Sequence, residues 1–145
     1  MIVLDANLLL YAYDAASPRH SAARQWLEQT LSGQVPVGLP WQTIGAFLRI
    51  ATNTRLPGNR WTPEEAAGIV DDWLRQPNVR VLAAGENHWL LLRTMLIEGQ
   101  AHGALVTDAQ LAALAMEYGG TLHTTDRDFA RFPGLRWTNP LNPTD

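Results

Sequence analysis

The chain opens on an apolar run, Ile2-Val3-Leu4, that stops at a carboxylate, Asp5, with Asn7 two positions on. A short apolar run followed by helix-like spacing predicts a buried parallel strand feeding a helix, which residues 6–13 (ANLLLYAY) begin. After a polar break at residues 14–17, Ser17-Pro18 predicts a helix start, and Ala22, Trp26, Leu27 and Leu31 share one face up to Ser32-Gly33. Alternation of Val35, Val37 and Leu39 predicts a second strand. Residues 41–54 predict a helix turning Ile44, Phe47, Leu48 and Ala51 inward, and residues 55–61, with Pro57-Gly58-Asn59, a loop. Thr62-Pro63-Glu64-Glu65 is a capping-box start for a helix striped by Ala66, Ile69, Val70, Trp73 and Leu74. A third strand is expected at 79–83, then a helix opened by Asn87 that carries Leu91, Met95 and Leu96 to Glu98-Gly99. Residues 108–118 predict an Ala/Leu-rich helix with Asp108 at its N-cap and Gly119-Gly120 beyond its end. A fourth strand at 121–125, a helical turn at 127–132, an edge strand at 135–137 and a tail at 139–145 complete the chain.

Strands alternating with helices imply an α/β fold: a central parallel sheet of four to five short strands, flanked by helices on both faces. The 145 residues fit one domain, 1–145, with no linker or internal repeat. No run approaches the roughly 18 apolar residues that cross a membrane, and the first ten residues lack a secretory signal, so a cytoplasmic protein is expected. With no cysteine, disulfides and thiolate metal sites are excluded. The net charge of −3 argues against broad nonspecific nucleic-acid binding but leaves room for a local basic groove. All 11 basic residues are arginine. Without lysine the chain cannot be a P-loop NTPase, and it lacks the lysine that phosphoaspartyl phosphatases and receiver domains use.

Asp5 alone reads equally as a helix cap or as a functional acid at the carboxyl end of a strand. Asp108 at a helix start, with Asp126 and Asp128 after the fourth strand, falls at similar places, and in a parallel sheet these places share one edge. Each has its plain alternative: Asp108 a cap, Asp126 a turn residue, Asp128 a partner of Arg131. Packed together, like charges need a divalent cation or strongly raised pKa values. Oxygen ligands without cysteine or clustered histidine select Mg²⁺ or Mn²⁺, and the chemistry expected is metal-assisted phosphodiester hydrolysis with an activated water as nucleophile. His20, His88, His102 and His123 are scattered and read as structural or surface residues. Arg49, Arg55 and Arg60 are candidate phosphate contacts. The six tryptophans read as packing, with a groove role for Trp41 or Trp61 toward a partner helix left open.

Three segments together, IVLDANLLLYA, LPWQTIGAFLRIATN and VTDAQLAALAMEYGGTLHTTDRDFARFPGLRWTNPL, resemble the PIN-domain ribonucleases of the VapC toxin family, in particular its actinobacterial branch. The resemblance runs from Met1 to about Leu141. It implies a PIN-like fold and a Mg²⁺- or Mn²⁺-dependent endoribonuclease, the toxin of a toxin–antitoxin pair, with RNA as substrate, a cognate VapB-type antitoxin as partner and a homodimer as assembly. By position it assigns the metal-binding and catalytic acids to Asp5, Asp108 and Asp126 with Asp128 assisting, and supporting roles to Asn7, which orients Asp5, and Thr125, whose hydroxyl holds a water at the metal. One departure stands out: many members carry a Glu on the helix of residues 42–53, where this chain has Gly45-Ala46-Phe47. Either Asp128 supplies the missing negative charge or the metal binds more weakly and arrives with RNA, and a catalytically weak or inactive PIN-like RNA- or protein-binding module is the competing expectation.

Overall fold

In the computed structural model, which describes residues 1–57 and 61–142, five strands form one sheet in the order β3-β2-β1-β4-β5. They are β1 (Ile2–Leu4), β2 (Val37–Pro40), β3 (Val79–Leu82), β4 (Thr121–His123) and β5 (Trp137–Thr138), every neighbouring pair parallel. Six helices connect them: α1 (Ala6–Ala12), α2 (His20–Leu31), α3 (Trp41–Ala51), α4 (Pro63–Leu74), α5 (His88–Glu98) and α6 (Leu105–Glu117). A 3₁₀ turn at Arg127–Arg131 links β4 to β5.

The period of two along β1 divides the core. Val3 points into a cluster with Leu82, Met95, Leu122, Phe129 and the buried alanines of α6, whereas Leu4 points into one with Leu9, Leu27, Phe47, Val70 and Trp73. Both residues are essentially fully buried, at 0% and 1% exposure. The second cluster is aromatic: the rings of Phe47 and Trp73 meet at 4.7 Å, and Trp73 Nε1 donates to the Tyr13 hydroxyl at 3.0 Å. An edge-on pair of this kind adds about 1 kcal/mol beyond its buried area, and the hydrogen bond satisfies an otherwise orphaned indole. β2 and β3 approach closely at Gly38, where a Cβ would stand 2.5 Å from Leu82 Cδ1.

Local signals account for most boundaries. Thr62 and Glu65 form the reciprocal capping box with Pro63 at the first position of α4. Gly119, at φ +64°, takes the left-handed turn that ends α6. Elsewhere the structure departs from the sequence expectation. Helix α2 begins at His20 rather than at Pro18, after a turn in which the Ser17 hydroxyl accepts from Arg19 N. Its buried residues are Ala23 and Leu27, and Ala22 is exposed. Strand β2 begins only at Val37, all four of its residues are buried, and Val35 is exposed. Helix α3 stops at Ala51, Leu74 of α4 is exposed, and the edge strand lies at Trp137–Thr138. Of the predicted loop and tail, Gly58, Asn59, Arg60 and residues 143–145 lie outside the described residues. Among the described residues no helix is long and apolar enough to cross a membrane.

Candidate metal centre

β1 is the central strand. The chain leaves it to one side for β2 and β3 and returns to the other for β4 and β5. The connections therefore diverge at the carboxyl ends of β1 and β4, the place where open α/β sheets leave a crevice. Asp5 stands at the first of these ends and Thr124 to Asp126 at the second. Leu4 pairs with His123, and Asp5 N donates to His123 O at 3.1 Å, so Asp5 and Thr124 face each other across the junction.

Both readings of Asp5 hold at once. Its Oδ1 caps α1 by accepting from Ala6 N at 2.7 Å, and its Oδ2 accepts from the Thr124 hydroxyl at 2.7 Å. Each oxygen retains a second lone pair for another partner. The Thr124 oxygen in turn accepts from Asp126 N at 3.0 Å, and Asp126 Oδ1 accepts from Asp128 N at 2.8 Å. Thr124 has no exposed surface at all, so this relay is built into the core edge rather than laid over it. Thr43, also buried, donates to Leu4 O at 2.8 Å and fixes α3 against the same strand end.

Asp108 arrives differently from expectation. It is not the N-cap of α6, which begins at Leu105 after Ala104 and has no side-chain cap; it lies within the first helical turn. Its carboxylate is therefore not engaged in capping. Carboxylate oxygens of Asp108, Asp126 and Asp128 lie within 4.8 Å of one another. Burial pushes the Asp108 pKa up to about 6, with further upward contributions from Asp126, Asp5 and Asp128, while Arg131 acts in the opposite direction. Asp5 is also raised, first by burial; the bonds from Thr124 and Ala6 counter this, and Asp126 adds to it. The four acids thus share one electrostatic site at the sheet edge, with Asp5 at its inner wall.

Such a cluster fits a divalent cation. Hard oxygen donors converge, two of them resist ionisation without a counter-charge, and no histidine of the described residues joins them. The alternative pairing of Asp128 with Arg131 is not among the ion pairs of the described residues; Arg131 Nη1 donates to Gly99 O at 3.0 Å. A family model described as the PIN domain matches residues 2–135. The chain belongs to the PIN-domain family.

Relatives within the VapC branch of that family include Ribonuclease VapC33 of Mycobacterium tuberculosis, 41% identical over 97% of this chain and 99% of that one. Ribonuclease VapC43 of the same organism is 37% identical over 98% and 97%. Among solved structures, VapBC2 from Rickettsia felis, bound to a promoter DNA fragment, superposes with TM-score 0.71 at 17% identity over 96% and 98% of the two chains. The sarcin-ricin loop cleaving toxin VapC20 of M. tuberculosis gives 0.67 at 16% identity over 94% and 99%. Both confirm the PIN fold.

The PIN-family helix acid is absent in space as well as in sequence. Gln42, Gly45 and Ala46 share a face of α3, and Gln42 Nε2 donates to Thr107 O, the residue before Asp108, at 3.0 Å. The face that lacks an acid is thus the one beside α6. Asn7 makes no hydrogen bond to Asp5 among the described residues, and its Oδ1 is buried without a partner. The residue the sequence did not single out is Thr124, whose hydroxyl holds Asp5. Thr125 faces a groove on the other side of Asp126. Among the described residues the histidines form no bonds to Asp5, Asp108, Asp126 or Asp128 through their rings: His20 bonds Tyr11 O, His88 bonds Glu117, His102 bonds Gln100 O and His123 packs on Trp26.

Proposed function

We propose that this protein is a Mg²⁺-dependent endoribonuclease, Mn²⁺ serving as an alternative ion, and the toxin of a VapBC-type toxin–antitoxin module. The observation that carries the proposal is the convergence of Asp108, Asp126 and Asp128 beside the Thr124-fixed Asp5. Ribonuclease relatives that align over nearly the whole chain support the choice of RNA as substrate. Asp5, Asp108 and Asp126 hold the ion, and Asp128, more exposed, assists. When bound, the ion supplies Lewis-acid activation of water and charge compensation at the phosphodiester. The protein's own groups do the rest. Thr124 orients the Asp5 carboxylate, the first turn of α6 presents Asp108, and the 3₁₀ turn keeps Asp126 and Asp128 on one side. Arg131 lowers the local negative charge that a polyanionic substrate meets. Residues 1–145 act as a single PIN-like domain in the cytoplasm.

The partner we assign is a VapB-type antitoxin, supported by the VapBC complexes among the structural neighbours. Trp61 lines an apolar groove with Leu10, Tyr13, Phe47 and Ile50 that suits an antitoxin helix. Homodimerisation is proposed with it, supported by the exposed Trp89, Leu90 and Ile97 of α5. The decisive experiment compares Mg²⁺-dependent cleavage of a total-RNA pool by the wild type and by Asp5→Asn. Cleavage by the wild type alone is expected. No metal-dependent cleavage by the wild type, or equal cleavage by both proteins, refutes the enzyme and favours the inactive binding module suggested by Gly45-Ala46.

A further inference from the structure

Behind the acidic centre lies a second concavity of about 300 Å³, walled by Arg19, Thr125, Arg127, Trp137 and Asn139. It shares a wall with the metal centre. Asp126 has extended backbone (φ −89°, ψ 115°), so the side chains of its neighbours Thr125 and Arg127 project to the side opposite its own. One residue of backbone therefore separates a cluster of carboxylates from a groove that, among the described residues, is lined by two arginines and no acid. The two cations are arranged differently. Arg19 is pre-set: its Nη1 donates to the Tyr11 hydroxyl at 3.2 Å, and its guanidinium stands 5.2 Å from the Tyr11 ring centroid. Arg127 is exposed and forms no ion pair or hydrogen bond among the described residues. Trp137, on edge strand β5 and partly buried against the Val3 core cluster, supplies an aromatic wall beside them.

A strand of RNA laid on four carboxylates is repelled everywhere except at the ion, so its flanking phosphate needs a cationic seat within one nucleotide's reach. Guanidinium groups hold phosphate by paired donors, and an indole accepts a base without regard to sequence. We infer that this groove seats the nucleotide adjacent to the scissile phosphate of single-stranded RNA, with Arg19 and Arg127 on its phosphate and Trp137 against its base. The inference rests on the ribonuclease reading above, but binding tests it separately from cleavage.

The probe is a fluorescein-labelled single-stranded RNA of about 12 nucleotides, a length within the span of single-strand sites. Its anisotropy is titrated with the full chain at increasing KCl, with Ca²⁺ replacing Mg²⁺ and strand integrity checked on a gel. For Arg127→Gln the slope of log affinity against log salt falls by about 0.7, the single-strand value per phosphate contact, and by about twice that for Arg19→Gln combined with Arg127→Gln. Trp137→Leu weakens binding by about fivefold or more with the slope unchanged, because stacking carries no charge. Arg80→Gln, on β3 at the opposite edge of the sheet, leaves both unchanged. In Mg²⁺ the arginine variants raise KM for cleavage of the same RNA and leave kcat near the wild-type value. An unaltered slope in Arg127→Gln, an equal fall in Arg80→Gln, or no RNA binding by the wild type overturns the groove assignment. Absence of Mg²⁺-dependent cleavage refutes only the nuclease reading, since the salt slopes still decide the groove.

Discussion

Replacing Asp108 by asparagine separates the site's cost to the fold from its use in catalysis. In the metal-free protein Asp108 titrates near 6 instead of 3.8, because burial and the facing acids disfavour its charge. A carboxyl whose folded pKa is raised contributes most when protonated. That stability is fully present below the unfolded value of 3.8 and is lost as the pH rises through about 6. At ~1.4 kcal/mol for each tenfold change the shift corresponds to roughly 3 kcal/mol, which solvent screening of a half-exposed group reduces to about 1 kcal/mol. Asp108→Asn removes the charge and keeps the shape. The variant should therefore melt about 3–4 °C higher than the wild type at pH 7.5 in EDTA, for a chain of this length. The gain should shrink through pH 6 and vanish below pH 4. Saturating Mg²⁺ should reverse the order, since an ion held at 100 times its Kd stabilises the wild type by about 2.7 kcal/mol and the weakened site by less. Calorimetry across pH, with and without Mg²⁺, measures all of this, and cleavage by the variant should fall at least about 100-fold. A melting temperature unchanged at pH 7.5, or a gain that persists at pH 4, refutes the electrostatic account of the cluster.

Thr124→Val deletes the donor to Asp5 Oδ2 and the acceptor for Asp126 N while keeping the side-chain volume. It should cost about 2 kcal/mol by denaturant titration and lower kcat, with Thr124→Ser restoring both, whereas Thr125→Val should leave stability unchanged. His123, whose pKa burial lowers to about 4 and whose Nδ1 is buried without a partner, contributes stability above pH 6.5 that is lost as the pH falls toward 4. Its partial exposure limits that loss to about 1–2 kcal/mol. His123→Phe, which keeps a ring against Trp26, should flatten the acid limb of the stability curve. An unchanged acid limb would show that another group is responsible. A Cβ at Gly45 would meet no atom within 4 Å, so Gly45→Glu can add the absent helix acid without collision. The Mg²⁺ concentration for half-maximal cleavage should drop severalfold, and an unchanged value would place that acid outside the ion's reach.

Periodicity carried most of the fold because each element's burial follows from its own residues. The alternation of Val3 and Leu4 between two clusters, the capping box at Thr62 and the Gly119 turn are all local signals. What escaped was non-local or ambiguous. Val106 and Thr107 are weak helix formers, so the start of α6 at Leu105 was hidden and Asp108 passed for a cap. The contact of Thr124 with Asp5 depends on which residue follows the one paired with Leu4, and strand register is set by tertiary packing that a local pattern does not carry.

The same reasoning bears on the absent helix acid. A Glu on α3, which the family resemblance leads one to expect, would add a carboxylate on a further side to those of the strand ends and α6. Here α3 contributes Gln42, whose amide is turned to Thr107 O, and its next turn carries only Gly45 and Ala46. The negative charge is thereby confined to the β1, β4 and α6 side, and the α3 side is left neutral. An ion held from one side keeps more of its coordination open for phosphate oxygens and water, so its binding should depend more strongly on RNA than in a closed cage. That asymmetry, rather than inactivity, is the consequence we draw from Gly45-Ala46. It gives the arginine groove behind Asp126 its importance, since a centre that recruits its ion together with the strand needs the strand held by something else.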